Sequence, residues 1–132
     1  MSASWALQQA AFAALSSDAT VKSLLGDPAR IFDDVPRDAA MPYVTIGEDG
    51  MSDWSTATDT GSQHALAIHA WSRAAGRKEV KGIADAVRVV LDGAALSVTG
   101  LIDLRFLSAE YSRESDGITY HATLRFRATL EN

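Results

Sequence analysis

The 132-residue chain contains no cysteine. That absence excludes disulfides, thiolate zinc sites and cysteine nucleophiles, and it accords with a reducing cytosol. No stretch approaches the ~20 apolar residues of a membrane-spanning helix. Positive charge is scarce: 12 Lys and Arg face 17 Asp and Glu, for a formal net charge of −5. An acidic chain lacks the basic surface of a general nucleic-acid binder. Passive contact with DNA stays compatible, because an acidic wall repels phosphates. Catalytic and nucleotide-binding motifs are missing as well. There is no GxSxG elbow, and neither GxGxxG nor GxxxxGK[ST] occurs. The three histidines show no HxxxH or HExxH spacing. The N-terminal "MSASWALQQAAFAAL" has no basic segment and carries two glutamines, so it reads as a helix and not a signal peptide.

What is present is an ordinary globular composition, 47% hydrophobic and 22% charged, over a length suited to one domain, residues 1–132. Residues 3–16 are rich in Ala, Leu and Gln and predict a helix, with Trp5, Phe12 and Leu15 near one face. Asp18 is placed to cap a short second helix carrying Val21, Leu24 and Leu25, which Gly26 and "DP" terminate. "ARIFDDVP" reads as a short extended piece, and 43–48 as a β-branched strand after Pro42. Residues 50–62, "GMSDWSTATDTGS", read as a long mobile loop in which only Met51 and Trp54 are large and apolar. A strand over 63–72 leads to the clearest helix, where Val80, Ile83, Ala84, Val87, Val90 and Leu91 recur at helical spacing before Gly93.

Two long strands follow, 102–112 and 117–130, around "RESDG". In the second, Ile118, Tyr120, Ala122, Leu124, Phe126, Ala128 and Leu130 share one face. In the first, Ile102, Leu104 and Phe106 line a face before the apolar set moves to Leu107, Ala109 and Tyr111. Such a phase change marks a bulge or a surface buried by another subunit. The predicted order is helix, helix, strand, strand, strand, helix, strand, strand. It describes an α+β domain, a mainly antiparallel sheet with helices packed on one face.

No constellation of catalytic or metal-ligating residues emerges. In "HALAIHAWSR", His64 and His69 are an odd number apart, so a regular strand points them to opposite faces. With His121 they are expected to share no chemical role and to hold no metal. Asp33/Asp34 and Glu48/Asp49 lie at strand ends and read as solvated turns. Arg77, Lys78 and Lys81 cluster in the first turn of the long helix, against its dipole, as a solvated face or a patch for an acidic partner. Arg125 and Arg127 share the polar face of the last strand with His121. Trp54, a large aromatic in a polar loop, either folds back on its own domain or anchors an interface. The candidate contacts are therefore Met51, Trp54, Arg77, Lys78, Lys81, Leu107, Tyr111, Arg125 and Arg127.

Several stretches in sequence resemble one family. They are "LLGDPARIF" after the first helix, "AAMPYVTIGED", "HALAIHAWSRAAGRKEVKGIADAVRVVLDG" and the final "DGITYHATLRFRATLE". Their order and spacing resemble the tail terminator, or tail completion, proteins of long non-contractile-tailed phages and of phage-like gene transfer agents. The likeness spans nearly the whole chain. It implies a ring-forming structural subunit, hexameric, at the head-proximal end of the tail tube. Such a ring stops tube polymerisation, meets the tube protein and the head–tail connector or stopper, and passes DNA through its lumen. It implies no cofactor, no catalytic residue and no membrane, with assembly in the bacterial cytoplasm and residence in the particle's tail. The alternatives are a small ligand-binding or enzymatic α+β domain, and another head–tail connector ring component. On the family reading Trp54 orders its loop by docking on the tube protein or a neighbouring subunit.

Overall fold

A computed structural model describes residues 2–131, apart from the side chain of Glu48. Helix α1 (Ala3–Ser17) starts where the Ser2 hydroxyl accepts the Trp5 N–H at 3.1 Å. It ends at Asp18, whose carboxylate accepts the Val21 N–H at 3.0 Å and so caps α2 (Ala19–Leu25). Gly26 then adopts φ +92°, a left-handed backbone that suits glycine, and its N–H closes on Lys22 O. The buried stripe of α1 is Leu7, Ala11 and Leu15. Trp5 and Phe12, expected beside Leu15, are instead 46% and 45% exposed. Apolar residues lie almost all round this helix, so its periodicity does not select a face. The i, i+4, i+8 stripe with small Ala11 at its centre is the one that packs.

The strands are β1 (Ile31–Phe32), β2 (Tyr43–Asp53), β3 (Gly61–Ser72), β4 (Leu101–Arg113) and β5 (Tyr120–Glu131), with α3 (Lys78–Leu91) between β3 and β4. They form one five-stranded sheet in the order β1-β2-β3-β5-β4. Among the described residues only β1 and β2 pair in parallel; the other neighbours are antiparallel. All three helices cover one face. There Leu7, Leu15, Val80, Val87 and Leu91 meet Val44, Ile68, Leu104, Leu124 and Phe126 in a single core. The α+β class and the element order are as the sequence predicts.

The boundaries are not. The segment expected to be a long mobile loop is mostly a hairpin. β2 runs on to Asp53 through an irregularity between Gly47 and Gly50, and β3 already starts at Gly61. The 54–60 connection is internally bonded. Trp54 N–H donates to Gly61 O, Thr56 N–H donates to Asp59 O at 2.7 Å, and Ser55 Oγ donates to Asp53 at 2.6 Å. That last bond is the first cause holding the exposed Asp53 carboxyl below its ordinary range. The hairpin carries few apolar residues because Met51 and the connection stay in solvent and have no core to fill. Polar composition there reflects missing cover, not missing structure.

In β4 the phase change is a bulge. The ladder skips Leu107 between Phe106 and Ser108, and skips Ile102 between Leu101 and Asp103. Leu107 is left 53% exposed, while Ala109 and Tyr111 return to the helix side opposite Leu124 and Ala122. Leu107 therefore does not belong with Ala109 and Tyr111, nor Ile102 with Leu104 and Phe106. Ile118 also falls outside its strand: it is exposed in the β4–β5 turn, and β5 starts at Tyr120. In that turn Asp116 accepts the Thr119 hydroxyl at 2.6 Å and the N–H groups of Ile118 and Thr119. Those bonds, the Thr119 hydroxyl first, hold its carboxyl below the usual value.

Candidate functional site

The strand parity of the histidines holds. His64 lies on the helix side with Nε2 2.9 Å from the Ser62 hydroxyl, and His69 lies on the open face, the face without helices; both side chains are buried. Burial pushes the His64 imidazole below its ordinary value of 6.5, with Asp49 partly opposing. Sequence reasoning missed a different meeting. The β3–β5 register pairs His69 with Thr123 and Trp71 with His121. That diagonal brings His69 Nδ1 within 2.7 Å of His121 Nε2, and His121 Nδ1 lies 3.0 Å from Glu114. Trp71 stacks flat on His121 at 3.8 Å and donates to Thr45 Oγ1 at 3.3 Å. So two of the three histidines share a hydrogen-bond chain. Only the register brings them together, and spacing within one strand cannot reveal it. Among the described residues no group of three or more His, Cys, Asp and Glu is arranged to hold a metal.

The predicted contact residues divide between places. Met51 is 65% exposed on the outer end of the β2–β3 hairpin. Trp54 folds back: its indole donates to Ser62 O at 2.9 Å, and its ring occupies the space a Cβ on Gly61 would need. Arg125 sits 3.7 Å from Glu110 on the open face, and Arg127 lies directly opposite Arg105. Of the predicted acidic pairs, Asp33 and Asp34 are exposed just after β1, and the Glu48 side chain lies outside the described residues.

The helix cluster proves more organised than a charge run. Arg77 lies 5.5 Å over the Tyr120 ring, Lys81 5.0 Å over Tyr111, and Arg88 4.1 Å over Phe106. These are three rungs of cation over aromatic along the seam between α3 and the β5–β4 end of the sheet. None of the three is in an ion pair among the described residues. Lys78 is exposed beside them. Glu79, in the same turn, is occupied by the Ser72 hydroxyl at 2.7 Å.

The opposite end of the sheet differs in kind. Trp5, Gln8, Gln9 and Phe12 of α1, with Asp33 and Ile46, line an open cleft of about 400 Å³. Charge separates the same way. Residues 1–72 hold 3 Lys and Arg against 9 Asp and Glu, while residues 73–132 hold 9 against 8. In the sheet the strands of the first set, β1, β2 and β3, lie on one side and those of the second, β5 and β4, on the other.

The sequence profile of the family "Tail completion protein gp17" matches residues 9–131. The chain belongs to that family. A tail completion protein gp17 from Bacillus phage SPP1 is 25% identical over 132 residues, covering 98% of this chain and 96% of the relative. Among solved structures, a chain in the virion of a native gene transfer agent particle matches with a TM-score of 0.91 and 33% identity, over 99% of this chain and 98% of the other. The structure of bacteriophage SPP1 gp17 protein shares the fold, with a TM-score of 0.65 and 24% identity over 98% and 92% of the two chains. As a tail completion protein the chain is a structural virion component and not an enzyme. Among the described residues of this tail completion protein, no helix is long and apolar enough to cross a membrane.

Proposed function

We propose that this tail completion protein assembles as a closed ring of six copies at the head-proximal end of a tail tube. There it ends tube polymerisation, joins the tail to the head connector or stopper, and leaves a lumen through which DNA passes without specific recognition. The observation that carries this reading is the end-to-end likeness to a chain of the gene transfer agent virion. An open five-stranded sheet with surface suited to partners at both ends supports it. Copies of itself, the tube protein and the connector are the partners. Met51 is offered to the tube protein on a hairpin that Trp54 braces. The exposed Leu107, Arg125 and Arg127 belong to the open face, and Arg77, Lys78, Lys81 and Tyr111 to the α3 seam.

Deleting the gene in a producing strain tests the proposal. Tailless heads and tubes of unregulated length are expected, restored when the gene is supplied in trans. Electron microscopy of complete particles is expected to show six copies in one ring at the head–tail junction. Normal tails in the deletion strain, or particles with no copy at that junction, would refute it.

A further inference from the structure

We infer that the two ends of the sheet are the two halves of one contact between copies. The α3 seam at the β4 end of one copy seats on the α1 cleft at the β1 end of the next. The inference rests on the ring proposed above and assigns its faces. The two ends lie four strand spacings apart, about 19 Å at ~4.8 Å each, so a contact joining them runs head to tail. Such contacts form rings when the rotation closes, whereas a two-fold contact stops at a dimer.

Charge selects a second copy as the occupant. The seam presents Arg77, Lys81 and Arg88, exposed cations outside any ion pair among the described residues, against one exposed acid, Asp85, on the same line of α3. The cleft presents Asp33, followed by exposed Asp34, in the half of the chain with three times as many acids as bases. Apolar surface accompanies the acids of the cleft, and partly buried aromatic rings underlie the cations of the seam. The cleft carries Trp5 and Phe12, each close to half exposed. Aromatic and arginine side chains are what interface centres favour. Head-to-tail docking brings each end against its complement. Like ends meeting would set acid against acid.

Charge reversal tests the assignment in particles made by a strain lacking its own copy. Asp33→Lys with Asp34→Lys, and separately Lys81→Glu with Arg88→Glu, are each expected to reduce tailed particles on the order of tenfold or more. Circular dichroism of the purified chains should remain unchanged. All four changes in one chain should restore tails, since acid and base have exchanged places on every copy. Harmless pairs, or a combined chain as defective as its parents, would overturn the contact.

The absence of cysteine permits a second measurement. Val35 is exposed beside Asp34, and Asp85 is exposed on α3 between Lys81 and Arg88. Val35→Cys and Asp85→Cys in one chain, treated in purified particles with a short thiol cross-linker, should give a ladder running past the dimer. Either substitution alone should give monomer. A dimer from a single-cysteine chain would show a two-fold contact and overturn the inference. No ladder in particles whose images keep the ring would overturn the face assignment alone. Particles with no ring at the junction would overturn the proposed function, and this inference with it.

Discussion

The two faces of β3 use histidine in opposite ways. On the helix side His64 is sealed among core residues, and burial holds its imidazole below the ordinary value. On the open side His69 reaches His121, which in turn meets Glu114, under the ring of Trp71. One strand thus carries one histidine that loses stability if it is charged and another tied into a chain ending on a carboxylate. The difference teaches that the face of the sheet, and not the residue type, sets what each histidine contributes. The helix side is held by packing, and the open side by directional contacts between neighbouring strands.

Truncating each face should separate those modes. Phe126 is fully buried on the helix side, so Phe126→Ala should cost about 3–5 kcal/mol. A denaturant melt of the purified chain measures this, and a loss below 1 kcal/mol would break the claim that packing holds that face. Gly61→Ala ranks next. The new Cβ would overlap the Trp54 indole and lie 2.8 Å from Leu130 O. Forced repacking of the hairpin should cost ~1–3 kcal/mol, again by melting. An unchanged midpoint would mean the indole does not rest there.

Trp71→Ala on the open face should forfeit the His121 stack, worth ~0.5–1.5 kcal/mol beyond the area lost. Its partner is the double variant with His121→Ala. A double-mutant cycle with no coupling would show that the stack contributes nothing.

The histidine contrast is sharpened by pH. The folded-state pKa of His64 lies below its unfolded value of 6.5. Below 6.5 the unfolded chain therefore binds a proton that the folded chain refuses. The stability this neutral histidine preserves is fully present above pH 6.5 and is lost as pH falls from there through the folded pKa. His64→Gln should flatten that part of the stability–pH curve by the smallest of these effects. An identical slope in the variant would assign the acid loss elsewhere.

Much of the fold was legible because its signals are local. Val80, Ile83, Val87 and Leu91 repeat at helical spacing, and the alternation from Tyr120 to Leu130 matches a strand with one covered face. Asp18 capped the helix it was expected to cap. Expectations failed where a residue's surroundings come from distant chain. Residues 50–53 looked like loop because nothing covers that end of the hairpin. Trp5 and Phe12 looked buried because α1 is apolar on several sides. Leu107 looked like part of a stripe because a bulge shifts the alternation by one residue.

The sequence by itself determined the element order, the opposite faces of His64 and His69, the lack of catalytic motifs and the resemblance that the family match supports. These depend on short-range spacing and on residues that are simply present or missing. Tertiary structure alone decided which face of α1 packs, that Trp54 rests on Gly61, and that His69 meets His121. It also set three α3 cations over three aromatics and moved the acidic half of the chain to the sheet end opposite them. Strand register and helix placement set those meetings. Both arise from the free energy of the whole core, where residues far apart in the chain compete for the same neighbours.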